Sequence, residues 1–366
     1  GNANPAKFVE NIFSVDTYVG GVTTPLTITN NIDLSGEGGL VWIKNRTSAN
    51  WHQLADTVRG ANKMLSTNSS NGESSRTQHL TAFTSTGFTI GNDNDVNYDV
   101  TGGSQDDNYI SWTFRKAPKF FDVVQYSGTG SEQSISHSLG AAPGMIIVKR
   151  TDTGEHWSVY HRSNSSENNV ISLNSDSANS SDDTHWGTPD SSTFTVKTSG
   201  YVNSSSGTYI AYLFGHDTTS DGMIQCGIFD TGGSDSVTVD LGFEPQWLMV
   251  KPTGSGNWEI YDTLRGWGVN GHKILKPNSD AAELANTTAL NFYPTSTGFG
   301  TNSYWGASTD LIYVAIRRGP MKTPTSRSNV FAINNRSSTG SSIDITSNFP
   351  VDWFFTKTRN SAYGFQ

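Results

Sequence analysis

Short apolar runs of four to eight residues, separated by clusters of Gly, Ser and Asn, follow one another along almost the whole chain. Apolar and polar residues alternate strictly in Ser134-Ile135-Ser136-His137-Ser138-Leu139 and in Ser236-Val237-Thr238-Val239-Asp240-Leu241. Alternation of this kind marks half-buried strands, because successive side chains point to opposite faces of a sheet. No run of Ala, Leu, Glu, Lys and Arg exists to build a long helix. The pattern predicts an all-β chain of antiparallel sandwiches, lectin-like or jelly-roll-like.

The runs also recur. A strand-like segment ending in Lys appears four times, at Leu40–Lys44, Met145–Lys149, Trp247–Lys251 and Trp353–Lys357, spaced by roughly 100 residues. Trp51, Trp157 and Trp258 follow the first three, and read as counterparts that fill each unit's interior. Ala55-Asp56-Thr57-Val58-Arg59-Gly60 and Tyr261-Asp262-Thr263-Leu264-Arg265-Gly266 are nearly the same phrase. In each, Asp and Arg are expected to pair across a turn. Ser85-Thr86-Gly87-Phe88, Thr198-Ser199-Gly200-Tyr201 and Ser296-Thr297-Gly298-Phe299 form a later landmark. These spacings predict tandem units over residues 1–117, 118–217 and 218–320, with the start of a fourth over 321–366. Arg115-Lys116-Ala117-Pro118 and the Pro-containing stretch after Arg317 read as stiff linkers. A jelly roll built from two fused units is the alternative. The incomplete fourth unit suggests that the polypeptide continues beyond Gln366.

Composition agrees and narrows the chemistry. The chain has 366 residues, 37 Gly and 11% aromatic residues, and Asp outnumbers Glu, as turn-rich β-proteins require. A net charge of −9 disfavours a phosphate-tracking nucleic-acid surface. The lone Cys226 leaves no pair for a disulfide or a Cys-based zinc site. Apolar runs fall short of a membrane helix, so no membrane insertion is expected. The N-terminus shows no basic stretch followed by an apolar core, so no signal peptide is read there.

Several phrases resemble a known module. Leu241-Gly242-Phe243-Glu244-Pro245-Gln246-Trp247, Asn257–Gly266, Tyr209–Asp217, Arg317–Pro324 and Phe349-Pro350-Val351-Asp352 look like a repeated module of bacteriophage tail-fibre and other virion-surface structural proteins, of marine and cyanobacterial phages especially. The resemblance runs from about Phe13 onward. It implies a non-enzymatic virion-surface component, extracellular when mature, that works with other virion proteins and contributes to host attachment. It also implies lectin-like sandwiches; because a stalk shields its sheet edges against copies of itself, a homo-oligomer is expected, with a trimer favoured. A secreted carbohydrate-binding array or adhesin is the second reading, and a polysaccharide depolymerase the third.

Residues that break the repeat are the candidates for recognition. Trp186 after Asp182-Asp183-Thr184-His185, Trp267 after Arg265-Gly266, and the Tyr304-Trp305 pair sit in loops rich in Asp, Asn or Gly. Loop aromatics beside such groups suit a host-surface glycan, or contact with a neighbouring module. Asp93, Asp95 and Asp99 alternate as oxygen donors do at the start of a calcium loop. Tyr98 and Ser104 stand where that loop needs Gly and Glu, so a solvated turn is the competing reading, and no other cofactor is implied. Enzymatic readings find little: no Gly-x-Ser-x-Gly elbow, phosphate loop or His-Glu-x-x-His helix occurs.

Overall fold

Alternating side chains decide the architecture, because the longest strands have two faces to bury and a different partner for each. A computed structural model of the chain describes residues 8–21, 24–98, 107–164, 169–231, 236–268, 272–286, 292–302, 309–319, 333 and 355–357. Gly1–Arg318 form one compact unit and Gly319–Gln366 a second. Most of the expected fourth unit lies outside the described residues, as do Asp99, Tyr304 and Trp305.

The first stretch holds β1 (Phe13–Val19), β2 (Leu26–Thr29), α1 (Leu34–Glu37), β3 (Gly39–Asn45), β4 (Gln53–Asp56), β5 (Lys63–Ser66), β6 (Ser74–Ser75), β7 (Leu80–Thr84), β8 (Gly87–Ile90) and β9 (Asn108–Arg115). The second holds β10 (Phe121–Ser127), β11 (Gln133–Ser136), β12 (Met145–Arg150), β13 (Ser158–His161), β14 (Asn169–Ser172), β15 (Ser180–Ser181), β16 (Thr193–Val196), α2 (Gly200–Asn203) and β17 (Thr208–Phe214). The third holds β18 (Ile224–Asp230), β19 (Ser236–Asp240), β20 (Pro245–Pro252), β21 (Glu259–Asp262), β22 (His272–Ile274), β23 (Leu284–Asn286), β24 (Phe292–Thr295), β25 (Gly298–Asn302) and β26 (Asp310–Arg317). The fold is all-β and sandwich-like, with antiparallel sheets throughout.

Strand order corresponds between the stretches. The large sheets run β1-β9-β3-β4-β5-β6, β10-β17-β12-β13-β14-β15 and β18-β26-β20-β21. Smaller sheets β2-β8-β7, β11-β16 and β19-β25-β24 accompany them. Each stretch therefore packs a small sheet over one face of its large one. Val41 and Ile43 face the local core of the first stretch, Ile146 and Val148 that of the second, and Leu248 and Val250 that of the third.

The residues between them point the other way. Leu40, Trp42, Met145, Ile147, Trp247 and Met249 all join one apolar cluster shared by the three stretches. Rings from different stretches meet there: Phe114 and Phe214 lie 5.5 Å apart edge-on, and Phe114 and Trp247 5.8 Å apart. Burial on both faces explains why these strands read as continuous apolar runs. It also corrects the expected linker. Ala117 is 5% exposed, bridges Phe121, and joins the shared cluster with Phe120.

Glycine explains one recurring phrase. A Cβ on Gly87 would sit 2.0 Å from the Ile28 carbonyl oxygen, and one on Gly298 would sit 1.8 Å from that of Val239, so no side chain fits at either turn. In the second stretch the register places Thr193 opposite Ser136, where the first pairs Gly87 with Thr29. Thr198-Ser199-Gly200-Tyr201 is therefore not the counterpart of the other two phrases. It belongs to a separate loop containing α2.

Candidate functional site

The tryptophan landmark also needs a shift of one residue. The backbone N–H of His52, Trp157 and Trp258 donates to Asn68, Asn174 and Asn278 Oδ1 respectively, each at 3.0 Å. His52, not Trp51, thus occupies the buried position. Trp51 is 39% exposed, whereas Trp157 and Trp258 are buried. One residue of slip along a strand exchanges the two faces.

Those buried positions lie at contacts between stretches. Trp157 Nε1 donates to the Ser66 and Ser69 carbonyls at 3.0 Å, and Trp258 Nε1 to that of Ser172 at 3.0 Å. The three landmark lysines behave alike. Lys44 Nζ donates to the Asp280 carbonyl at 3.1 Å, Lys149 to Ser70 at 3.0 Å and Lys251 to Ser177 at 3.0 Å. Each also bonds carbonyls of its own stretch. First binds third, second binds first, and third binds second, which closes a ring. Burial pushes each ammonium down to about 8, opposed by nearby carboxylates such as Asp280, Glu155 and Asp176.

The Asp-Thr-x-Arg-Gly turns form the expected local pairs, with Arg59 Nε 2.5 Å from Asp56 and Arg265 Nε 2.6 Å from Asp262. Sequence reasoning missed their second task. Asp56 Oδ2 accepts from Tyr212 Oη of the second stretch at 2.8 Å, and Asp262 Oδ2 accepts from Trp112 Nε1 of the first at 3.1 Å. The second stretch has His161 at this position, paired with Met145 as Asp56 is with Leu40. Its neighbour in the third stretch offers Val314, which cannot donate. His161 Nε2 instead bonds the Tyr313 carbonyl at 3.1 Å. Side chain and partner have changed together.

The predicted glycan residues are placed differently from expectation. Trp186 is 1% exposed and packs edge-on to Tyr160 at 6.1 Å. Trp267 is 3% exposed and its Nε1 donates to the Phe292 carbonyl at 3.0 Å. Both rings fill the space between a large and a small sheet, so neither has a face free for a sugar. Asp93 and Asp95 are held by Arg76, at 3.3 and 2.6 Å. That guanidinium gives the two carboxylates a cationic partner from within the chain. Among the described residues no group of three His, Cys, Asp or Glu could hold a metal.

The loops around Asp93 and Trp186 nevertheless mark one surface, present on the first two stretches. Tyr18 and Tyr126 hydroxyls donate to the Val96 and Val202 carbonyls at 2.8 and 2.7 Å. Asn97 and Asn203 Oδ1 accept from Gly21 and Thr129 N–H at 2.9 and 2.8 Å. Gly91 and Lys197 N–H donate to the His79 and His185 carbonyls. His79 therefore corresponds to His185, Asp93 to Ser199, Asp95 to Tyr201 and Arg76 to Asp182. The conserved histidine geometry carries different chemistry around it. Where Asp95 is neutralised by Arg76, Tyr201 lies 40% exposed and stacked on His185, with centroids 5.7 Å apart and planes at 15°.

Asp182, His185 and Ser199 also fall in the order of an acyl-transfer triad, with His185 Nδ1 3.0 Å from Asp182 and Nε2 3.2 Å from Ser199 Oγ. The correspondence gives Ser199 a structural role. Ser199 Oγ accepts from Tyr201 N–H as Asp93 Oδ1 accepts from Asp95 N–H, so both cap the same turn. Burial lowers the His185 pKa, against the pull of Asp182.

Residues 9–320 match the family model described as a domain of unknown function (DUF7483), and the chain belongs to that family. The search of curated proteins found no match.

Proposed function

We propose that this protein is a non-enzymatic structural component of a bacteriophage virion surface, a fibre or spike element that contributes to host attachment. The phage-module phrases suggest the setting. The observation that carries the reading is the interlocking of three sandwich stretches through a shared apolar cluster and buried polar staples. Such a body keeps its surface loops in fixed relation without disulfides, as a display scaffold outside the cell must. Descent of the three stretches from one copied unit is part of the proposal, supported by their matching strand order. Because the inner faces are already used within one chain, copies of the chain meet through outward surfaces, with a trimer favoured.

Immunogold labelling of purified particles with an antibody to this chain tests the setting. Label at a discrete surface structure is expected, and label confined to the cell or the free medium would overturn it. Analytical ultracentrifugation tests the assembly, where a stable monomer at micromolar concentration would contradict the oligomer. The second reading, a secreted carbohydrate-binding array, draws on the exposed Tyr201 platform and predicts sugar binding with no particle association.

A further inference from the structure

Within Gly1–Arg318, the large aromatics that stand exposed among the described residues are Trp51 at 39% and Tyr201 at 40%. Both lie at the corresponding surface of different stretches. Asn50, adjoining Trp51, donates to the Asn94 carbonyl at 3.1 Å and to Asp95 at 3.3 Å, which fixes Trp51 beside the first loop. Tyr201 belongs to the second loop itself and is flanked by His156 at 6.2 Å, in the position that corresponds to Trp51. His156 is tied to Asn174 at 3.0 Å. One surface has thus been given an exposed ring twice, from two different sequence positions.

We propose that this surface binds saccharide and is used twice on each chain, with Trp51 and Tyr201 as the stacking rings. The inference rests on the host-attachment reading and names its ligand class. An exposed aromatic face takes the C–H face of a pyranose, and polar groups around its rim bond the hydroxyls. Beside Tyr201 lie His156 and His185, which hold Asn174 and the 36% exposed Asp182 carboxylate respectively. Around Trp51 the polar groups are Asn50, Asp95 and Arg76. Single rings set among polar groups fit a sugar better than a protein partner, which calls for a contiguous apolar patch. Tyr201 is preorganised, because His185 stacks on it and its backbone N–H is held by Ser199. Two weak sites on one rigid body favour clustered glycans over isolated ones.

The test uses the full chain, fluorescently labelled, on arrays of neutral and N-acetylated bacterial-type oligosaccharides printed densely and sparsely. Binding to at least one dense glycan is expected, weakened about tenfold or more by Tyr201→Ala or Trp51→Ala and abolished by the pair. Tyr201→Phe, and Leu264→Ala at an exposed apolar residue of the third stretch, should bind as wild type. Unchanged melting temperatures would show that the variants fold. No binding to any glycan, or full binding by the double variant, would overturn the proposal. Immunogold labelling of particles is independent of that result, so the virion reading would fail or stand separately.

Discussion

Removing the bond from Trp112 to Asp262 should loosen the whole body, although the two residues are 150 positions apart in sequence. The Asp262 carboxylate is 0% exposed and accepts from Arg265 N–H at 2.9 Å, Arg265 Nε at 2.6 Å and Trp112 Nε1 at 3.1 Å. Arg265 is 5% exposed, bonds the Ile260 carbonyl at 2.9 Å and lies 5.6 Å from the Trp112 ring. Trp112→Phe keeps most of the apolar volume and deletes a hydrogen bond to a charged acceptor, a loss of about 1.5–3 kcal/mol. Asp262→Ala leaves the buried guanidinium only the longer contact with Glu283, at 3.3 Å, and should cost about 3 kcal/mol. In urea unfolding followed by tryptophan fluorescence, both midpoints should fall with unchanged slope. The double variant should show a coupling of at least about 1 kcal/mol, within the range for residues in direct contact. Additivity to within about 0.5 kcal/mol would refute the claim that this contact joins the stretches.

Other expectations follow from the same geometry. Trp157→Ala should destabilise by about 3–5 kcal/mol, as large buried aromatics do, while exposed Trp51→Ala should stay within about 0.5 kcal/mol by thermal melting. An equal cost at both sites would restore the unshifted register. Lys251→Met leaves the Ser177, Pro252 and Gly254 carbonyls without their shared donor and should cost about 1–3 kcal/mol in denaturant titration. Burial pushes His79 and His161 down to about 4, so the unfolded chain takes up protons first as pH falls from 6.5. Stability present above pH 6.5 is then lost toward pH 4, about 2 kcal/mol per histidine at pH 5. His161→Gln should flatten that slope, and an unchanged pH profile would contradict the burial of this ring.

The all-β character was legible because alternation and turn chemistry are local properties. The Asp56–Arg59 and Asp262–Arg265 pairs were legible for the same reason, lying three residues apart on one turn. What crosses between stretches was not. Lys44, Lys149 and Lys251 served as landmarks of strand ends, yet their carbonyl partners are supplied by segments far away in the chain. Trp186 and Trp267 sit in polar loops, and only the facing sheet shows that those loops fold inward. Trp51 was misread by one position because the first stretch places His52 where the others place Trp, and a ring in the neighbouring slot hid the exchange. Tyr201 was hidden by a chance likeness of Thr198-Ser199-Gly200-Tyr201 to a turn that the second stretch builds from Thr193 instead.

Differential scanning calorimetry of the intact chain tests the interlocked body most directly. A shared core with polar staples predicts that Gly1–Arg318 melt in one transition, with calorimetric and van't Hoff enthalpies equal. Three resolved transitions, or a calorimetric enthalpy near three times the van't Hoff value, would mean that the sandwiches fold independently and would contradict it.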